Sequence, residues 1–98
     1  MYIFIRQDIP IADQLVQACH SCAEAGKSFL PDPHTHMVLI GIKNQEQLLN
    51  ITNILKDNNI RYEIFWEPDD NMHHTAICTE PIKGEQRKLF KKYKLWKH

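Results

Sequence analysis

Residues 61–81 read RYEIFWEPDDNMHHTAICTEP, and this stretch decides the fold because it holds two strand patterns joined by a turn. In the first arm Tyr62, Ile64 and Trp66 alternate with Arg61, Glu63 and Phe65, the period of a strand with two differently used faces. In the second arm Thr75, Ala76, Ile77, Cys78 and Thr79 are mostly β-branched or small and carry no charge. Between them Glu67, Pro68, Asp69, Asp70 and Asn71 read as a turn, since proline fixes φ and Asx side chains bond back to their own backbone. The hairpin gathers these three carboxylates, followed by His73 and His74, at one end of a sheet. Crowded carboxylates need a cationic or protonatable neighbour, which makes this turn the first place to look for chemistry. A solvated acidic loop is the plain alternative.

Upstream of the hairpin, Asn44 caps a helix, with Gln47 three residues on in a capping-box arrangement and Leu48, Ile51 and Leu55 as the buried stripe. Asn58 and Asn59 end it, because asparagine tolerates the left-handed conformation. Residues 36–42, HMVLIGI, read as a buried strand, and residues 27–35, with two prolines around Asp32, as a loop. Over residues 10–24 the spacing of Ile11, Leu15, Ala18, Cys19, Cys22 and Ala23 predicts a helix, with Pro10 in its first turn and Gly26 as its stop. Tyr2 to Arg6, YIFIR, is a nearly continuous apolar run that suits a central strand covered on both faces. Downstream, Leu89, Phe90, Tyr93 and Trp96 repeat at helical spacing among lysines and predict a helix over residues 83–96.

The order strand, helix, strand, helix, strand, strand, helix implies an α/β three-layer sandwich. Its four-stranded mixed sheet has the first three strands parallel, the last antiparallel, and helices on both faces. Ligands gather beyond the carboxyl ends of parallel strands, here at Gln7 and Asp8, at Lys43 and Asn44, and at the Glu67 loop.

With 98 residues the chain is one domain. No apolar run approaches the length of a membrane span, and Met1 leads directly into a strand pattern, so no membrane association and a cytoplasmic location are expected. The odd count of three cysteines, Cys19, Cys22 and Cys78, argues for free thiols. The net charge of zero hides a split: residues 1–82 hold 5 basic and 11 acidic side chains, whereas residues 83–98 hold 7 basic and 1 acidic. An acidic body thus carries a basic end, which either meets an anionic partner or pairs with its own body.

Three stretches, IFIRQDI near the start, VQACHSCAEA in the first helix and HHTAICTEPI before the lysine-rich end, together resemble the type II peptidyl-tRNA hydrolase family. IFIRQDI near the start is similar to the family's apolar strand followed by Arg-x-Asp-Ile/Leu. VQACHSCAEA is similar to its helix carrying Gln and His, which fall here on Gln17 and His20. HHTAICTEPI followed by a lysine-rich end resembles its closing residues. The family's glycine- and lysine-rich turn between first strand and helix is missing, since this chain has Ile9-Pro10-Ile11-Ala12-Asp13, and its Asp-Ala-Gly turn is replaced by Glu67-Pro68-Asp69-Asp70. The resemblance implies hydrolysis of the ester joining a peptidyl or acyl group to tRNA, without cofactor or metal. Under it His20, Asp8, Asp69 or Asp70 would act as the base and Thr75 or a backbone amide as the oxyanion donor. Arg6, Gln17, Lys88, Lys91, Lys92 and Lys94 would hold the tRNA, with homodimerisation left open.

Competing readings attach to the same residues. His20 also suits the flank of an amphipathic helix, and the lysines also suit a solvated face over an aromatic stripe. Cys19 and Cys22 have Cys-x-x-Cys spacing in mid-helix without a second pair. His34 and His36, joined by His73 or His74, would be needed to collect a metal. A noncatalytic binding module on the same fold, recognising a protein or nucleotide-like ligand, is the rival from another class. The two are told apart by whether His20, Asp8 and the Glu67 to Asp70 loop converge on one pocket.

Overall fold

The uncharged second arm of the hairpin lies inside the sheet, and the charged first arm lies at its edge. In the computed structural model, which describes residues 1–98, the elements follow as β1 (Tyr2–Arg6), α1 (Ile11–Phe29), β2 (Val38–Ile42), α2 (Gln45–Asp57), β3 (Tyr62–Glu67) and β4 (His73–Thr79). Short 3-10 segments occupy Asp69–Asn71 and Gly84–Phe90. The sheet order is β2-β1-β4-β3, with β1 and β2 parallel and β4 antiparallel to both β1 and β3. β3 therefore runs in the direction of β1 and β2, as expected, but pairs with neither. Thr75 to Thr79 are all buried, which only an inner strand allows, whereas β3 keeps Glu63, Glu67 and half-exposed Trp66 at an edge, where charge is tolerated.

Alternation along β1 assigns the two faces. Ile3 packs in one cluster with Ala25 of α1 and with Cys78, and Phe4 packs in the other with Leu48, Ile51 and Leu55 of α2. The helices thus cover opposite faces. α2 follows its sequence signals: Asn44 Oδ1 accepts from the Gln47 amide at 3.0 Å, and Asn59 closes the end with φ of 57°.

Three expectations are corrected. α1 passes through Gly26 and ends at Leu30, whose left-handed backbone (φ 45°) precedes Pro31. Its buried stripe is Gln14, Gln17, Ser21 and Ala25, while Leu15 and Val16 are each 50% exposed. The helix is rotated because its glutamines find internal partners, and because Ser21 and Ala25 are small enough to bring it close over the sheet.

The helix expected over residues 83–96 is also absent. A 3-10 segment ends at Phe90, and the chain then runs along the free edge of β2, where Gly41 N–H donates to Lys94 O and Trp96 N–H donates to Leu39 O at 2.9 Å. Phe90 and Tyr93 still pack on Phe4. What the tail gains instead of helical bonds is the unpaired edge of β2, and it separates lysines that a helix would stack one turn apart. No helix is long and apolar enough to cross a membrane.

Candidate functional site

At the end of the sheet where β1 and β3 finish and β4 begins, the side chain of Arg6, 12% exposed, organises the turn. Its Nε and Nη2 donate to the two carboxylate oxygens of Asp8 at 2.8 and 2.9 Å, and its Nη1 donates to the carbonyls of Met72 and His74. This bidentate pair plus two backbone bonds fixes the hairpin turn onto β1. The turn is itself strained: Asp70, Asn71 and His73 have φ of 53°, 56° and 63°. Arg6, expected at the substrate, is engaged in holding this turn.

Beside it lies a cleft of about 400 Å³ lined by Asp8, Asp13 and Asp70 with Arg6. Two of the expected carboxylates, Asp8 and Asp70, are therefore brought together, with Asp13 added. Asp69 lies outside the lining; its amide donates to Glu67 Oε1 at 3.2 Å. His20 is outside it too, stacked flat on Phe65 with ring centroids 4.6 Å apart and planes 1° off parallel. The expected convergence thus divides in two.

The second group runs from sheet to helix. Thr75 is the extra residue of a bulge in β4, since Phe65 pairs with Ala76 and Trp66 with His74. A bulge re-aims a side chain. Here it turns Thr75 toward α1, where its hydroxyl donates to Gln17 Oε1 at 2.7 Å, and Gln17 Nε2 donates to Glu67 Oε2 at 3.0 Å. Thr75 and Gln17 are buried. The Gln17 hydrogen bond, then the Asp69 amide, holds the Glu67 carboxyl below the usual carboxylate range, with His20 adding in the same direction. The proposed oxyanion donor Thr75 is therefore enclosed and already donating, and Gln17 positions Glu67. Neighbouring His74 is pushed down by burial and by His73, and its Nδ1 has no hydrogen-bond partner.

The basic end forms a separate surface. Lys92 and Lys94 line a groove of about 590 Å³ between the tail and α2, together with Lys43, Gln47 and Asn50 and with no carboxylate. Lys88 is outside it and pairs with Glu85 at 2.7 Å, within its own segment, and Lys91 is exposed outside the lining. No lysine of residues 83–98 bridges to an acid of residues 1–82. Gln7 lines this groove and the next residue, Asp8, lines the acidic cleft, so each has a lining residue just past the end of β1. The histidines divide as well: His34 and His36 line a cleft by Met1, at the opposite end of the sheet from His73 and His74. No group of three His, Cys, Asp or Glu side chains is placed to hold a metal ion.

Sequence reasoning placed Lys43 at a ligand-gathering strand end, but missed Glu67 as the acceptor of the buried network and Gln14, which accepts from Trp96 Nε1 at 2.7 Å and so pins the tail. The signal for the glutamines was present, because Gln14, Gln17 and Ser21 repeat at the same three-and-four spacing as the apolar residues. No protein-family model matches the chain, and no curated protein matches it.

Proposed function

We propose that this protein binds a tRNA-type RNA backbone along the groove between α2 and the carboxyl-terminal tail. The observation that carries the reading is the lining of that groove, with Lys43, Lys92 and Lys94 and no acidic residue to neutralise them. Unpaired lysines presented by a held backbone suit phosphates, whose contacts fix position without reading sequence. Lys91, outside the groove, extends the same charge, and Gln47 and Asn50 supply neutral donors to phosphate or ribose oxygens.

A second reading adds hydrolysis of an acyl or peptidyl ester at the RNA end. It is favoured by the acidic cleft beginning one residue from the groove, at Asp8 beside Gln7, where an RNA terminus would bring its ester next to Asp8 and Asp70. A carboxylate there would orient the attacking water as base. His20 and Thr75 are not in that cleft, and under this reading they support the turn through Phe65 and through Gln17.

Binding of a tRNA by the purified chain, measured from about 50 to 200 mM salt, tests the first reading. Charge reversal of Lys43, Lys92 and Lys94 should weaken binding by tenfold or more at the lower salt and flatten the salt slope by about 0.7–0.9 per lost contact. Unchanged affinity and slope would overturn it. Release of the acyl group from charged tRNA, with Asp70→Asn expected to slow turnover about 10²-fold, tests the second. RNA binding with no ester cleavage leaves the binding module.

A further inference from the structure

The chain carries three free cysteines, and the one close spacing among them in the sequence, Cys19 to Cys22, lies within α1. Residues three apart on a helix keep their Cβ atoms roughly 5–6 Å apart, beyond the separation of about 3.5–4.5 Å that a disulfide needs. Cys19 moreover is on the exposed flank.

The tertiary structure makes a different pair. Cys22 packs with Ala18 and Phe29 against the cluster of Met1, Ile3, Ala25 and Cys78, so the helix lays it over the middle of the sheet. There Cys78 is fully buried on β4, between Ile3 of β1 and Glu63 of β3. The two thiols thus belong to one cluster between α1 and β4, close enough that each perturbs the other's ionisation. Cys22 is only half-buried and keeps a solvent-facing side.

We propose that Cys22 and Cys78 are a thiol oxidation site, joined by a reversible disulfide across the α1–β4 contact when a peroxide attacks through Cys22. The geometry sets the order of events. The Cys22 thiolate displaces water from hydrogen peroxide, breaking the O–O bond and leaving sulfenic acid on Cys22. The Cys78 sulfur then attacks the Cys22 sulfur, the S–O bond breaks, and the hydroxyl leaves as water with the proton of Cys78. The two thiols have lost two electrons and the peroxide has gained them; a dithiol reductant reverses the change.

Two features fit Cys22 to the first step and Cys78 to the second. The neighbouring Cys78 thiol brings the Cys22 thiol down to about 7, despite the opposing effect of burial, so a thiolate is available near neutral pH. Cys22 in turn, then burial, pushes Cys78 up, so it stays a thiol until its neighbour has been oxidised. At rest the Cys78 S–H donates to Thr79 O at 3.8 Å; a charged Cys22 would be the stronger acceptor.

The test uses the full chain with Cys19→Ser, so that only the pair remains. After hydrogen peroxide, denaturation and alkylation, the expected product is monomeric, takes up no alkyl group and has lost two hydrogens. Its melting temperature rises by on the order of 10 °C and returns with dithiothreitol. Adding Cys22→Ser should abolish the change, and adding Cys78→Ala should leave a sulfenic acid on Cys22 that a cyclic diketone traps. If Cys78→Ala does not fold, the Cys22→Ser comparison decides alone. Two alkylatable thiols after oxidation, or a product that is only an intermolecular dimer, would overturn the proposal.

Discussion

Thr75→Val is the sharpest probe of the buried network, because it keeps the shape of the side chain and removes a single donor. In the folded chain the Thr75 hydroxyl donates to Gln17 Oε1 at 2.7 Å, and the two residues are 0% and 3% exposed. Valine fills the same space, so no cavity term enters; the loss is that of a buried amide oxygen left without its donor, which costs about 1–3 kcal/mol. For a domain of this size that lowers the melting temperature by roughly 5–20 °C. In urea, the unfolding midpoint should fall by on the order of 1 M with an unchanged slope. The background Gln17→Met separates the bond from other effects of the substitution. There the hydroxyl already lacks its acceptor, so Thr75→Val should cost nearly nothing or stabilise, and the two changes together should fall short of their sum. A loss under about 0.5 kcal/mol in the wild type, or an equal loss in both backgrounds, would refute the network as a stabilising unit.

Gly41→Ala should release the tail: a Cβ there would stand 1.9 Å from Gln7 Oε1, and moving Gln7 breaks its bond to Lys97 O, so hydrogen exchange of the Trp96 amide should speed up while that of β1 stays slow. Because burial and then His73 hold His74 below its ordinary value of 6.5, its contribution to stability is complete above that value and is lost as the pH falls through the window beneath it. Urea unfolding from pH 8 to pH 5 should show this decline, and His74→Gln should flatten it. Leu30→Gly should raise stability by about 0.5–1 kcal/mol, since Leu30 holds a left-handed conformation at 81% exposure; an unchanged or lower melting temperature would contradict the strain assigned to it.

The sequence by itself determined the elements whose signals are local. Asn44 and Gln47 fix where α2 begins, the apolar run Tyr2 to Arg6 suits a central strand, and Pro68 with the Asx residues fixes the turn. Each rests on hydrogen bonds or burial within a few residues, so the chain carries the information where it is used. Only the tertiary structure decided which face α1 buries, because apolar residues and glutamines repeat along that helix with the same period. The choice fell to the stripe whose amides meet Thr75, Glu67, Ile9 and Trp96, partners between 5 and 82 residues away. The candidate site divided for the same reason: His20 and Asp8 are twelve positions apart in sequence, but a rotated helix lays one on Phe65 and leaves the other at the mouth of the acidic cleft. The tail likewise shows helical spacing at Leu89, Phe90, Tyr93 and Trp96, yet residues 94–96 lie along β2, since an unpaired strand edge offers their backbone bonds that no local pattern announces.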